Sequence, residues 1–321
     1  MIEMKWASAG EKNEIIDFCD FIFSKFSCPH DFETLLPKLY GTNGDSVPHH
    51  FIIREDGRIV AAILAYPVEM RIGENSFMTI GVGSVSVHPR AQGRGYMQHM
   101  LKAVDDHARE LDAVFSVLGD QRQRYGYFGY HPSGYHMDFS ISARNVKHAL
   151  KEADDSCLEI ISMQNEHVAA ALELHTSQLM YCTRTPENFL DVAGSWYHKS
   201  YAILNKGVFA GFAILKPDGS SVDVSELQLA SDDILPEVLK KLVGTFGPAK
   251  LTVAPWQRER ARCLTSISET WQITRDHMFK FYQEDRLRRI LRDAGLPHEA
   301  PLGFNGFELP IPVFVSSPDA V

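Results

Sequence analysis

Residues 81–97, GVGSVSVHPRAQGRGYM, combine types and spacing that suit a phosphate. β-Formers run to Val87, Pro89 breaks the run, and a loop with Arg90, Gln92, Gly93, Arg94 and Gly95 follows. Met97, Met100, Leu101 and Val104 then recur at i, i+3, i+4 and i+7, the spacing of a helix with one buried face. The first N–H groups of a helix lack intrahelical acceptors and carry partial positive charge, so a strand–loop–helix unit can hold an anion. Glycine in the loop keeps a Cβ from blocking the approach of a phosphate to the backbone. A dinucleotide fingerprint needs a third glycine at position 98, where Gln98 stands. A P-loop needs Lys and then Ser or Thr after its last glycine, and here Tyr96 and Met97 follow Gly95.

Arg90-Ala91-Gln92-Gly93-Arg94-Gly95 instead fits the Q/R-x-x-G-x-G/A loop of the GNAT acyltransferases. The chain resembles that family at two further places in the same order. One is the strand end Val85-Ser86-Val87-His88-Pro89; the other is Tyr125-Gly126-Tyr127-Phe128-Gly129-Tyr130, similar to the family's Y-x-x-x-G-F/Y segment. The resemblance implies acetyl-CoA as co-substrate, its pyrophosphate held by backbone N–H groups from Gln92 through Gly93, Arg94, Gly95 and Tyr96 to Met97. Arg90 and Arg94 would be charge partners. It implies that Val85, Ser86 and Val87 pair with the pantetheine arm and polarise the thioester carbonyl. Gly81 and Gly83, inside the strand, mark a bulge or a close backbone approach; in the family this strand bulges and splays to leave a slot for the pantetheine arm. Tyr125, four residues before Gly129, matches the family's general acid, and a phenol with a pKa near ~10 stays protonated at neutral pH. Tyr127 reads as a core aromatic, and His88 and His131 as structural.

Composition narrows the alternatives. At 321 residues the chain exceeds one average domain. A net charge of −9 argues against a general nucleic-acid binder and favours a cationic acceptor such as an amine. The five cysteines, at 19, 28, 157, 182 and 263, form no C-x-x-C pair, so neither a metal site nor a disulfide framework is expected, and a reducing, cytoplasmic setting is. The N-terminal residues lack the apolar stretch of a signal peptide, and no run approaches the length needed to span a bilayer.

The elements that must position these residues are read from periodicity. Helices are expected at 10–26, with Phe26 on the apolar face, and at 31–39; a hairpin turns at Asp56-Gly57 and another at Gly73-Glu74-Asn75. After the loop come a helix to about Glu110, a strand over 113–118, a turn at Gly119-Asp120-Gln121, a helix carrying Tyr125 and Tyr127, and a strand over 135–141. Residues 51–64 and 201–215 align when shifted by 150 positions, Gly57 falling on Gly207. Helices at 165–181 and 186–194 and strands at 222–230, 249–254 and 271–282 repeat the first half's order. Where the phosphate loop should recur stand Ala230-Ser231-Asp232-Asp233, two carboxylates and no glycine.

The expected architecture is therefore α/β, two tandem GNAT folds with mixed central sheets flanked by helices. It comprises a catalytic domain over 1–145, a degenerate copy over 155–285 and a C-terminal extension over 286–321. The tandem arrangement resembles the Eis-like acetyltransferases, bacterial enzymes that acetylate amines, although their sterol-carrier-like C-terminal domain has no full-length counterpart here. In that group the C-terminal carboxylate lies in the active site, which implies Val321 as general base. The basic helix 286–292 reads as a solvated face pairing with the acidic body. Phe304, Phe307, Leu309, Ile311, Val313 and Phe314 read as a packed strand. The expected activity is N-acetyl transfer to a small-molecule or peptide amine in a ternary complex, with no metal, nucleic-acid or membrane partner and with room for a homo-oligomer. A non-catalytic acyl-CoA-binding regulatory protein is the alternative.

Overall fold

The structure, a computed structural model, describes residues 1–25, 29–119, 121–304 and 308–321, with the backbone alone at position 276. Phe26, Cys28, Asp120 and Phe307 lie outside the described residues.

The first copy runs β1 (Ile2–Trp6), α1 (Lys12–Phe23), α2 (Phe32–Leu35), α3 (Pro37–Tyr40), β2 (His50–Glu55), β3 (Arg58–Ile72), β4 (Asn75–Val87), α4 (Tyr96–Glu110), β5 (Phe115–Leu118), α5 (Arg122–Tyr125), β6 (His131–Ile141) and α6 (Ala143–His148). The second runs β7 (Leu158–Ser162), α7 (Asn165–Thr176), β8 (Met180–Cys182), α8 (Phe189–Gly194), β9 (Lys199–Asn205), β10 (Val208–Asp218), β11 (Ser221–Leu229), α9 (Leu235–Phe246), β12 (Ala249–Val253), α10 (Arg258–Ile267) and β13 (Thr270–Phe281), before α11 (Glu284–Asp293).

Most elements fall where periodicity places them, and the departures have local causes. The helix expected over 31–39 is two short ones. Leu36 sits at φ −130°, ψ 61°, because a proline at the next position disfavours helical backbone. The helix expected over 165–181 ends at Thr176, and Met180–Cys182 instead pairs with the far end of β3, Met70 opposite Cys182. Segment 308–314 forms no regular strand, yet Ile311 and Val313 are fully buried and Val315 nearly so, packed with Phe115, Phe279 and Leu287. Two arginines of α11 do pair with carboxylates, Arg286 with Asp112 at 2.8 Å and Arg288 with Glu284 at 2.8 Å.

All strands but β8 lie along one path, β1-β2-β3-β4-β5-β13-β6-β12-β11-β10-β9-β7. The pairs β4–β5 and β11–β12 are parallel. The last strands are exchanged. β13, from the second copy, pairs with β5 of the first, and β6, from the first, pairs with β12 of the second. The exchanged strands also pair with each other from Thr270 opposite Ser140 to Phe279 opposite His131. The sheet is therefore continuous through both copies, and neither closes its own edge.

Helices cover both faces. On the first copy α4 buries Met100, Leu101, Val104 and Ala108 against Ile63, Ile80 and Val82. Met100, Leu101 and Val104 each contribute about 1.5–3 kcal/mol, and the Ala108 methyl about 0.8 kcal/mol. The opposite face is covered by α1–α3 through Ile15, Ile22, Leu39 and Tyr40. In the second copy α9 covers one face, and α7 and α8 cover the other.

The exchange predicts how fragments behave. A fragment of residues 1–150 would leave β5, buried at all four residues, with a bare edge where β13 belongs. It should aggregate or lack a cooperative melt, and co-expression with 151–321 should restore a soluble complex. An isolated 1–150 that is monomeric and melts sharply by circular dichroism would contradict the exchange.

Candidate active site

The site begins where β4 leaves its neighbour. Parallel pairing with β5 covers Ile80 opposite Ser116 and Gly81 opposite Val117, and stops there. On its other side β4 stays paired with β3, but the register shifts between Ala62 and Leu64, and Ser84 takes a φ of 52°. This is a bulge, one extra residue that bends the strand. It is held from within the core: the Tyr40 hydroxyl lies 2.8 Å from Ser84 Oγ and 3.0 Å from His50 Nε2. Beyond Gly81 β4 has no pairing with β5; the N–H groups of Ser86 and His88 face β3, His88 donating to the Val60 carbonyl at 2.8 Å, which leaves those of Val85 and Val87 for the unpaired edge. Ser86 turns its hydroxyl back onto the Ser84 carbonyl at 3.0 Å, so its side chain is spent on shaping the bulge.

The phosphate loop follows at once. His88 Nδ1 accepts the Arg90 N–H at 3.2 Å, opening a single turn over Pro89–Ala91. Gly93 and Gly95 sit at φ 77° and 78°, where a side chain is strained, and Gly95 caps α4. Among the described residues no backbone N–H from Gln92 to Met97 finds an acceptor, so six donors at the positive end of α4 face outward. Arg90 is exposed. Arg94 grips Glu55 with Nη1 at 2.6 and 2.8 Å from the two carboxylate oxygens, and the buried Tyr96 donates its hydroxyl to the same group. The Tyr96 hydroxyl and then Arg94 hold the Glu55 carboxyl below its ordinary range. Arg94 and Tyr96 thus brace the loop against the β2 end rather than reaching outward with their side chains.

Tyr125 ends α5 with its ring buried, 6.2 Å from the ring of Tyr130 and edge to face. Burial pushes its phenol above 10, with Arg124 partly offsetting the rise. Tyr127 is 92% exposed: α5 is four residues long and a tighter turn follows, so the two tyrosines part company. His131 is also exposed, at the start of β6.

Val321 lies on the opposite face of β4, packed with the α1–α3 core. A Cβ built on Gly81 would lie 2.4 Å from Val321 Cγ2. One built on Gly83 would lie 2.9 Å from Cγ1 and 3.1 Å from the carboxyl carbon. The two glycines, alternate on one strand face, therefore admit the chain's own last residue. Tyr125 packs with Ile80 and Val82 on one face and Val321 sits against Gly81 and Gly83 on the other. Among the described residues the Val321 carboxylate has no ion-pair partner, and it borders two cavities, of about 280 Å³ (Leu118, Gly119, Trp196, Lys216) and about 190 Å³ (Tyr66, Glu69, Thr183, Val192).

The tail leading to Val321 is held by residues that no sequence motif marked. Arg184, with a fully buried side chain, donates to Asp319 through Nε at 2.9 Å and Nη2 at 2.7 Å, and to Glu226 at 2.7 Å. Burial would raise the Asp319 carboxyl, but Arg184 outweighs it and holds it at about 2. Lys38 Nζ donates to the carbonyls of Pro318 and Ala320 at 2.6 and 2.5 Å, and Trp196 Nε1 donates to Ala320 at 2.9 Å. Trp196 and Tyr197 both have left-handed backbone, φ 60° and 62°, at a cost of order 1–3 kcal/mol each.

The second copy has the same bulge, at Ser225, and an arginine reaches across the strand beyond it. Arg260 donates Nη1 to the Leu227 carbonyl at 2.5 Å and Nη2 to Asp232 at 2.6 Å. Asp232 and Asp233 open α9 where the first copy has glycines.

Residues 7–133 match the family model described as acetyltransferase (GNAT) domain. No curated protein matches the chain at a significant level. Among solved structures, a probable N-acyltransferase from Enterococcus faecalis V583 is similar over 88% of this chain and 73% of its own, with 12% identity and a TM-score of 0.68. A GCN5-related N-acetyltransferase from Anabaena variabilis ATCC 29413 shares 16% identity over 88% and 73%, TM-score 0.64. Eis1 from Mycobacterium abscessus shares 12% over 90% and 76%, TM-score 0.62. At these identities the likeness is one of fold, and it extends across both copies. Residues 7–133 carry an acetyltransferase (GNAT) domain, and the chain as a whole has the fold of these solved structures, Eis1 among them.

Proposed function

We propose that the protein transfers an acetyl group from acetyl-CoA to a primary amine, on a small molecule or a peptide, by direct transfer in a ternary complex. The observation that carries this reading is the seating of the Val321 carboxyl group against Gly83, at the gap that opens beside the phosphate loop. Acetyl-CoA would supply the activated acyl group, its pyrophosphate on the free N–H groups of Gln92 to Met97. Those unpaired donors and the left-handed Gly93 and Gly95 fit such a group; Asp232 and Asp233, at the matching place in the second copy, do not.

The chain's own groups then have separable tasks. The N–H groups of Val85 and Val87, which alternate with the β3-facing N–H groups of Ser86 and His88, would meet negative charge developing on the carbonyl oxygen, an effect worth about 3–4 kcal/mol per donor in other acyl-transfer enzymes. The Val321 carboxylate, not neutralised by any described cation, would take a proton from the acceptor ammonium, through water where needed. Tyr125, kept protonated by burial, would give a proton to the departing thiolate. Acid and base approach from opposite faces of the sheet, so neither quenches the other.

Incubation of acetyl-CoA with polyamines, aminoglycosides and lysine peptides, read as free CoA release, should show amine-dependent turnover. Tight binding by calorimetry without release for any amine would favour a regulatory acyl-CoA binder instead. Tyr125→Phe should lower kcat by about 10²–10⁴-fold with acetyl-CoA affinity unchanged; undiminished kcat would remove the acid from the scheme. Gly83→Ala should displace Val321 and cost about 10–100-fold in kcat, again with acetyl-CoA affinity kept. A loss of cofactor affinity with kcat intact would show that the glycine serves the pantetheine arm and not the tail.

A further inference from the structure

The tail is anchored twice, in two different ways. Ile311, Val313 and Val315 are buried among apolar side chains, which is enough to keep the segment on the body. The last six residues add a second anchor, in which charge and directed hydrogen bonds join the apolar seat of Val321. Asp319 N–H donates to Ser316 O at 2.9 Å, and Ser316 Oγ donates to Asp319 Oδ2 at 2.7 Å, closing a turn. Arg184 then grips that turn with two parallel bonds to Asp319. Arg184 is itself fixed by Glu226, on β11, and Glu226 is fixed by His175 Nδ1 at 3.2 Å, whose Nε2 lies 2.8 Å from the Cys182 carbonyl. Lys38, from the first copy, and Trp196, from the second, converge on the carbonyls of Pro318 and Ala320.

Burying an arginine with two carboxylates is a poor way to gain stability, because desolvation cancels most of the attraction. What a bidentate pair provides is direction: a planar fork accepts a carboxylate in one orientation. The chain of contacts runs from a rigid strand to a residue two positions before Val321.

We propose that Arg184 is a positioning residue for acyl transfer, acting through Asp319, with Trp196 and Lys38, to fix the Val321 carboxylate at the gap between β4 and β5. The second copy, which lacks the phosphate loop, thereby takes part in the chemistry by holding the base. This inference rests on the proposed role of Val321, and its test separates the two.

The comparison is a double-mutant cycle in the full chain. One arm adds a single glycine after Val321, which moves the terminal carboxylate. The other is Asp319→Asn, which keeps the shape, removes the charge and leaves Arg184 paired with Glu226. Steady-state kcat, the KM for acetyl-CoA, the pH profile and the thermal melt are measured for all four chains. The expected result is a fall in kcat of about 10–100-fold for each single change, unchanged KM for acetyl-CoA, loss of the carboxylate's limb of the pH profile in the extended chain, and no further fall in the double variant. If Asp319→Asn melts well below the parent, Trp196→Phe, which deletes one hydrogen bond and no charge, carries the same comparison. Unchanged kcat in the extended chain would overturn the base and this inference with it. A slow extended chain beside undiminished Asp319→Asn and Trp196→Phe would overturn the positioning role alone. An equal fall on substitution in both the native-length and extended chains would do the same, since it would mark a general structural effect.

Discussion

Two parallel neighbours that stop pairing after two registers are the constraint on which the site depends. Hydrogen bonds between β4 and β5 end at Gly81 and Val117, and the bulge at Ser84 turns the rest of β4 away. An interior sheet edge without a partner is normally costly, because its N–H and C=O groups are left unpaired. Here Tyr40, His50 and the Ser86 hydroxyl lock the bulge from the covered face, so the gap is built in. On one face of the strand beside it lies Tyr125, and on the other the last residue of the chain.

The exchange of β6 and β13 gives the second copy its place. With β13 set between β5 and β6, the first copy's sheet runs directly into the second's, and the tail can be gripped from both sides, by Lys38 and by Arg184 and Trp196. The same bulge that opens the first copy recurs at Ser225, where Arg260 bonds Leu227 and Asp232. One bulged fold thus serves two ends, with unpaired loop donors beside the bulge in one half and a carboxylate–arginine pair beside it in the other. The difference rests on a few side chains rather than on backbone topology.

Local pattern made much of this legible in the sequence. Glycines at 93 and 95 followed by a helical stripe define the loop, and α4 begins and ends within a residue of its periodic pattern. Asp56-Gly57 fixed its hairpin for the same reason: left-handed backbone demands those types. What was not legible is non-local. The order of strands is identical whether β6 and β13 pair within their own copies or across, so no periodicity distinguishes the two. Gly81 and Gly83 announced a close approach, but alternate glycines say only that something comes near one face, not that it is Val321. Arg184, Lys38 and Asp319 carry no motif; an arginine that will be fully buried looks like any surface arginine until its carboxylates arrive from 42 and 135 residues away. Tyr127, expected in the core, is exposed because the helix ends at Tyr125 and a tighter turn carries the next three residues.

A crystal structure with CoA bound tests the central claim most directly. The account predicts the pyrophosphate on the N–H groups of Gln92 to Met97 and the thiol in the gap between Gly83–Val85 and Leu118–Gly119, with the Tyr125 hydroxyl and the Val321 carboxylate facing it from opposite sides of the sheet. CoA seated on the second copy near Asp232, or a thiol remote from Val321 with the tail still in place, would contradict it.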